Sequence, residues 1–417
     1  MRRILMIAYH FPPMAGSSGI QRTLRFVQHL PSFGWEPLVL TAHPRAYERT
    51  SEDLLADVPA KTVVRRAFAL DAARHLAIAG RYPGFAARPD RWISWKFDAV
   101  AQGMRMIREF APALIWSTYP IATAHVIGSQ LHRRSGLPWI ADFRDPMAQD
   151  GYPADPVMWK MFKDIEEDAA RNASRCVFTT PGAVRTYRAR YPQGADRMAL
   201  IENGFDEESF AQLPQATADG NSMADRPVIL LHSGIVYPQE RDPTQLFIAM
   251  QRLSASGRLT PDSMRIRFRA SAHDEHIRAL AASHGVEPFI ELCPPLPYGE
   301  ALSEMLRSDA LLVMQDRGCN DQIPAKVYEY LRAGRPILGL TDPAGDTAAV
   351  LRGAGLDAIA RLESADEIEA LLPRFVDAVR AGSAAGPDPA VAARMSRRER
   401  AGELAAICDQ ANIGDAR

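Results

Sequence analysis

Ile4-Leu5-Met6-Ile7-Ala8 is an unbroken apolar run near the start of the chain, and with the loop and helix after it this run decides the fold. A run that is apolar at every residue, without alternation, is the pattern of a parallel strand covered on both faces. The Pro/Gly-rich loop Phe11-Pro12-Pro13-Met14-Ala15-Gly16-Ser17-Ser18-Gly19 comes next. Residues 21–30 then place Leu24, Val27 and Leu30 near helical spacing, and Pro37-Leu38-Val39-Leu40-Thr41 reads as a second strand. Strand, loop, helix and strand in this order make a βαβ unit.

The alternation continues outward from that unit. Further strands are predicted at 113–118, 138–143, 175–180 and 198–201, with helices at 97–110, 121–133 and 159–170. Glu202-Asn203-Gly204-Phe205-Asp206 carries an Asn-Gly turn signal. Residues 211–226 are rich in Ala, Gly, Asp and Ser, lack apolar periodicity and read as a linker. A second series comes after it, with strands at 228–233, 265–270, 289–292, 310–314 and 336–340. Its helices fall at 244–256, 275–284, 298–307, 326–333, 346–353 and 365–381, and the tail from 389 is also helical. A single eight-stranded barrel would not be interrupted by such a linker. The prediction is an α/β chain of two Rossmann-like, doubly wound domains facing a central cleft: 1–210, a linker at 211–226, 227–395, and a helical tail at 396–417 that packs back toward the first domain. Ligands of such sheets sit at the carboxyl ends of the strands, so the cleft is the expected site.

Composition agrees with two folded domains. The 417 residues exceed one ordinary core, and 47% hydrophobic with 24% charged residues is ordinary for a globular chain. Cys176, Cys293, Cys319 and Cys408 form no CxxC pair, which argues against a disulfide framework or zinc site and for a reducing, cytoplasmic setting. No apolar stretch is long enough to span a membrane. The net charge of −1 is uneven: residues 1–210 hold 27 Lys and Arg against 22 Asp and Glu. That excess attracts an anionic partner such as a phosphorylated lipid headgroup or a membrane surface, and equally fits an ordinary spread of surface charge. Dense basic stripes interleaved with aromatics are lacking, which disfavours nucleic acid. Arg91-Trp92-Ile93-Ser94-Trp95-Lys96 is an aromatic-basic cluster. It suits a membrane interface, but core packing against the helix at 97–110 is preferred.

Two segments carry candidate chemistry. Gly16, Ser17 and Gly19 lie where a Rossmann fold places its phosphate-binding turn, although no GxGxxG and no Walker lysine is present. The stretch from Asn320 to Pro336, Asn-Asp-Gln-Ile-Pro-Ala-Lys-Val-Tyr-Glu-Tyr-Leu-Arg-Ala-Gly-Arg-Pro, is more informative. Pro324 suits a first helical turn and Gly334 a helix end. Lys326 near a helix start opposes the macrodipole preference, a conflict that points to a task such as holding a diphosphate. Glu329, one turn on, is placed to accept hydrogen bonds from ribose hydroxyls; a solvated Lys–Glu pair is the alternative.

This stretch resembles the donor-site signature of retaining glycosyltransferases of the GT-B fold, family 4, in the Pro-x-Lys-x-x-Glu-Tyr form similar to that of bacterial surface-polysaccharide transferases. The resemblance implies that Glu329 binds the donor ribose and that Asp321 or Gln322, in the run Asp321-Gln322-Ile323-Pro324, faces the donor sugar; Asp321 stands where the family usually has Glu. Tyr9-His10-Phe11-Pro12-Pro13 with Gly16 through Arg22 resembles the family's glycine loop. His232-Ser233-Gly234 through Tyr237 and Arg241-Asp242 resembles the first strand and loop of its second domain, which makes Gly234 and Arg241 diphosphate candidates. A His common after the strand at 138–143 is absent, and Arg144 stands near its place. Arginine cannot act as a base. Asp142, Asp145 and His125 are therefore the candidate proton acceptors, beside Arg144 as an acceptor-orienting cation. For the two aspartates the competing reading is a structural Asp–Arg–Asp network, and for His125 a packed helix histidine. His10 and His232 are left between lining and structural roles.

The expected function is retaining sugar transfer from a nucleoside-diphosphate sugar to a hydroxyl acceptor, in bacterial polysaccharide or glycolipid assembly. Partners are the donor, a saccharide or lipid-linked saccharide acceptor, and peripheral contact at the inner face of the membrane. No cofactor is expected and no metal: Asp-x-Asp is absent, so Lys326, Arg241 and helix N-termini would neutralise the diphosphate. A nucleotide-sugar epimerase of the same architecture and a non-catalytic nucleotide-binding partner protein are the alternatives.

Overall fold

The computed structural model of the chain describes residues 1–17, 19–213 and 226–414. Ser18 and most of the expected linker, residues 214–225, lie outside the described residues. The chain divides into two compact units, residues 1–203 with 397–417 and residues 204–396.

The first unit is built on seven parallel strands: β1 (Arg2–Ile7), β2 (Trp35–Ala42), β3 (Val63–Ala67), β4 (Leu114–Thr118), β5 (Trp139–Arg144), β6 (Arg175–Phe178) and β7 (Met198–Leu200). Their order is β3-β2-β1-β4-β5-β6-β7, with Ile4 paired to Pro37 on one side and Leu114 on the other. Ile4, Leu5, Met6 and Ile7 are all fully buried, as two helical layers over a parallel sheet require. β3 escapes the sequence pattern because it is a half-buried edge strand carrying Arg65 and Arg66. Trp95 is wholly buried and packs against Tyr9 with Trp92, so this aromatic pair belongs to the core.

The second unit has six parallel strands: β8 (Val228–Ser233), β9 (Met264–Arg269), β10 (Ile290–Cys293), β11 (Ala310–Met314), β12 (Ile337–Leu340) and β13 (Ile359–Ala360). The order β10-β9-β8-β11-β12-β13 reverses direction between β8 and β11. In the first unit the reversal falls between β1 and β4. These switch points open crevices at the carboxyl ends of the strands, where ligands of such sheets bind.

Boundaries differ from the sequence reading for a packing reason. Phe205 and Phe210 sit in the second unit's core with Tyr328 and Leu331, and Arg332 makes a two-pronged ion pair with Glu207, so residues 204–210 belong there. The helix Arg397–Gly414 belongs to the first unit: Leu404 and Cys408 join Ile4 and Trp35, and Arg400 pairs with Glu202 at 2.7 Å. No described helix is long and apolar enough to cross a membrane.

Candidate active site

In the second unit β8 ends at the switch point and turns through Gly234. Its φ of +104° lies in the region L side chains avoid, and a Cβ there would stand 3.4 Å from the Lys326 ammonium. Lys326 is the first residue of the helix Lys326–Ala333, where backbone N–H groups and the helix dipole already favour an anion. Its Nζ lies 3.0 Å from Nε2 of His232, which is fully buried. The Nδ1–H of His232 donates to the Leu312 carbonyl at 3.0 Å, leaving Nε2 as the acceptor for the ammonium. Burial, then the charges of Lys326 and Arg241, push the His232 pKa well below its usual value, so the ring is neutral. Burial and Arg241 likewise pull Lys326 well below the ordinary lysine range, while Glu329 acts in the opposite sense.

Arg241 is half-buried, donates to the Ile235 carbonyl at 2.5 Å and places its guanidinium 5.2 Å from the Tyr237 ring. The Ser233 amide donates to the Tyr330 hydroxyl at 2.8 Å, fixing the turn against the helix. Glu329 accepts from the Tyr298 hydroxyl at 2.8 Å. The structure therefore brings Gly234, Arg241, Lys326 and Glu329 together at the carboxyl end of β8 and adds His232, Tyr298 and Tyr330. Of the preceding run, Asp321 and Gln322 are exposed and Pro324 is half-buried, whereas Ile323 is buried in the core. Ile323 anchors the loop: its side chain packs with Phe205 and Val327. Ile323, read with its run as donor-binding, is thus a core side chain.

In the first unit the loop after β1 meets the end of β5. The Ser17 hydroxyl lies 3.3 Å from His10 Nδ1 and accepts from the Gly19 amide at 3.2 Å. A Cβ on Gly19 would fall 2.4 Å from His10 Nδ1 and 3.0 Å from an Arg144 guanidinium nitrogen, so a side chain there would displace the His10 ring. Gly16 turns with φ +81°. Arg144 has φ +63° at a register shift in β5, held by Thr179, whose amide and hydroxyl donate to its carbonyl at 3.0 and 2.8 Å. Its guanidinium donates to the Gly19 carbonyl at 3.3 Å. Burial and Arg144 bring the His10 pKa down to about 4.

Two expected proton acceptors are placed otherwise. Asp142 is fully buried, and both its oxygens are held by Arg22 at 3.0 Å, with Thr118 donating at 2.9 Å. His125 is also fully buried, bonded to Ser117 at 2.8 Å and 4.6 Å from the Phe143 ring centroid. Both side chains support the sheet and present no surface to a substrate, which corrects their reading as bases. Asp145 is exposed and Arg144 half-buried beside it. In the sequence Arg22 stands out only as the end of the glycine loop; nothing local ties it to an aspartate 120 residues away.

Comparison with known proteins matches the frame around these residues. Residues 18–204 match the family described as Glycosyl transferase 4-like domain. A search of curated protein sequences finds no match. Among solved structures, sucrose-phosphate synthase from Thermosynechococcus elongatus is 15% identical, with TM-score 0.60 over 100% of this chain and 98% of that one. Anabaena HepE in complex with UDP-glucose is 13% identical, with TM-score 0.63 over 97% and 98%. A putative UDP-N-acetylglucosamine 2-epimerase from Listeria monocytogenes is 14% identical, with TM-score 0.54 over 94% and 95%. The chain has the two-domain GT-B fold of these structures. Its residues 18–204 are similar to a glycosyl transferase 4-like domain, and a second Rossmann-like unit comes after them.

Proposed function

We propose that the chain transfers a sugar from a nucleoside-diphosphate sugar to a hydroxyl acceptor, with retention at the anomeric carbon, in the assembly of a bacterial polysaccharide or glycolipid. The carrying observation is the Lys326 ammonium, 3.0 Å from a neutral His232 and beside Gly234 at the β8–β11 switch point. Arg241 stands close enough to repel that ammonium, and a diphosphate is the ligand that relieves the repulsion. The binding of UDP-glucose by HepE, a protein of the same fold, supports a nucleotide-sugar donor.

In this reading Lys326 and Arg241 stabilise the leaving diphosphate, Gly234 lets backbone approach it, and Glu329, oriented by Tyr298, takes the ribose hydroxyls. Asp321 and Gln322 reach toward the sugar. In the first unit Gly16, Ser17 and Gly19 present small residues and backbone, and Arg144 orients the acceptor, with Asp145 beside it to take the acceptor proton. No metal is required, because the cations and the helix start supply the positive charge. Lys326→Ala should lower turnover by roughly 30-fold to 1000-fold, about 2–4 kcal/mol of barrier, as for a single oxyanion donor. The assay is sugar transfer to a panel of hydroxyl acceptors, with folding checked by circular dichroism. Unchanged turnover in Lys326→Ala and Glu329→Ala would reject the assignment. A sugar altered in the absence of acceptor would instead identify an epimerase.

A further inference from the structure

Six large apolar side chains between residues 68 and 97 stand in solvent: Phe68, Leu76, Ile78, Tyr82, Phe85 and Phe97. Ile78, Phe85 and Phe97 are 84%, 80% and 73% exposed. Exposed apolar residues scattered singly are ordinary, but a concentration of them marks an interaction surface. Leu76, Phe85 and Phe97 border a single groove of about 560 Å³, closed below by Val126, Met161 and Ile165. Ile78 projects from a tight hairpin: it bridges Arg81 across Ala79 and Gly80, at φ +49° and +75°.

The charge on this stretch is mainly positive, and its Asp71 is wholly buried. Residues 72–97 hold Arg74, Arg81, Arg88, Arg91 and Lys96 against one carboxylate, Asp90. Asp90 is turned inward, accepting from the Thr123 amide at 2.7 Å and its hydroxyl at 2.9 Å. Asp164, at the groove's edge, is paired with Lys160. Arg88 pairs with Asp155 and Arg91 with Glu48, which leaves Arg81 and Lys96 as the cations best placed for an outside anion. The Lys96 ammonium lies 4.9 Å from the Phe97 ring centroid, so cation and aromatic share one place. Aromatic and aliphatic tips that project separately, with cations among them, suit a headgroup layer: the apolar tips enter it while the cations meet anionic phosphates.

We propose that this face docks the chain on an anionic lipid bilayer, with Ile78, Phe85 and Phe97 inserted and Arg81 and Lys96 at the phosphates. The docking does not depend on sugar transfer, and it is read without donor, so it and the transferase reading succeed or fail separately.

The test is co-sedimentation of the full chain with vesicles of phosphatidylcholine alone and of phosphatidylcholine mixed with phosphatidylglycerol. Binding is expected to the mixed vesicles and to weaken with salt. The double variant Phe85→Ser/Phe97→Ser should lower the partition coefficient by roughly tenfold or more, from the apolar area no longer buried. Its melting temperature should be unchanged, because both rings are already in solvent. Arg81→Gln/Lys96→Gln should remove most of the preference for phosphatidylglycerol. Equal binding to both vesicle types, or variants that partition like the wild type, would overturn the proposal. So would light scattering that shows a dimer broken by Phe85→Ser/Phe97→Ser, which would assign the face to a second copy of this chain.

Discussion

The ammonium of Lys326 lies 3.0 Å from a histidine nitrogen, that of His232, and not against a carboxylate. An ion pair would neutralise the lysine and blunt its attraction for a ligand. A buried neutral imidazole instead holds the side chain in place and leaves its charge to be completed by an anion. Burial, then the charge of Arg241, pull Lys326 well below its usual pKa, so protonation of the free lysine is disfavoured. A bound diphosphate raises that pKa again, so binding takes up a proton. Calorimetry of UDP binding in buffers of different ionisation enthalpy should show this uptake, and Lys326→Met should abolish it.

Gly234 has a backbone conformation that disfavours a side chain, and the Lys326 ammonium lies in contact with the place a Cβ would take. Gly234→Ala places a methyl 3.4 Å from Nζ of Lys326 at φ +104°. The strain should cost about 1–2 kcal/mol of stability. UDP affinity should fall further than the same change at Gly257, which also has positive φ but no neighbour within 4 Å. Thermal melts and titration of both variants make the comparison.

Glu329 accepts from Tyr298, which fixes its orientation. A carboxylate has about four lone-pair sites, enough to take a ligand's hydroxyls as well. If that ligand is the ribose, Glu329→Gln and removal of a ribose hydroxyl should not add. Each alone should weaken binding by about 1.5–3 kcal/mol, and the two together by little more than one. A double-mutant cycle with UDP and its deoxyribose analogues checks this.

The parts of the fold readable from sequence were those with local causes. Strands covered on both faces leave apolar runs, so β1, β8 and β11 stand out in the chain. β3 does not, because an edge strand tolerates Val-Val-Arg-Arg-Ala, and β13 has two residues. The helix start at Lys326 was visible from Pro324 and from a lysine set against the dipole. Its partner was not: His232 lies 94 residues away and Tyr298 lies 31 residues from Glu329, and neither spacing has a periodic signature. Asp142 and His125 misled for the same reason, since a carboxylate or imidazole in a sequence does not disclose that it is wholly buried.

His125 also gives the protein a pH dependence. Burial lowers its pKa to about 4, while the unfolded value is near 6.5. Between those values the unfolded chain binds a proton that the folded one refuses, so stability falls as pH drops from 6.5 to 4 and levels off below. One such group contributes on the order of 3 kcal/mol to that fall. The urea midpoint of His125→Gln should therefore decline less steeply than the wild type over this interval, even though the variant starts lower for want of the Ser117 bond.

Arg22 and Asp142 form a two-pronged pair with side-chain exposures of 5% and 0%. Arg22 also donates to the Ile201 and Glu202 carbonyls, at 3.0 and 3.2 Å, so it ties the helix Gly19–His29 to β5 and to the chain beyond β7. Removing the cation leaves a carboxylate in the core with, among the described residues, only the Thr118 hydroxyl to bond its side chain. Arg22→Met should cost about 3–5 kcal/mol, because an uncompensated buried charge is left behind. Asp142→Asn removes the charge but keeps an acceptor for Arg22, so it should destabilise, and by less than Arg22→Met. The double variant Arg22→Met/Asp142→Leu should regain much of the loss, since an apolar pair of similar volume replaces the ions. A proton-accepting Asp142 predicts another pattern: Asp142→Asn would keep its melting temperature and lose turnover. Melting curves and initial rates on the same preparations separate the two.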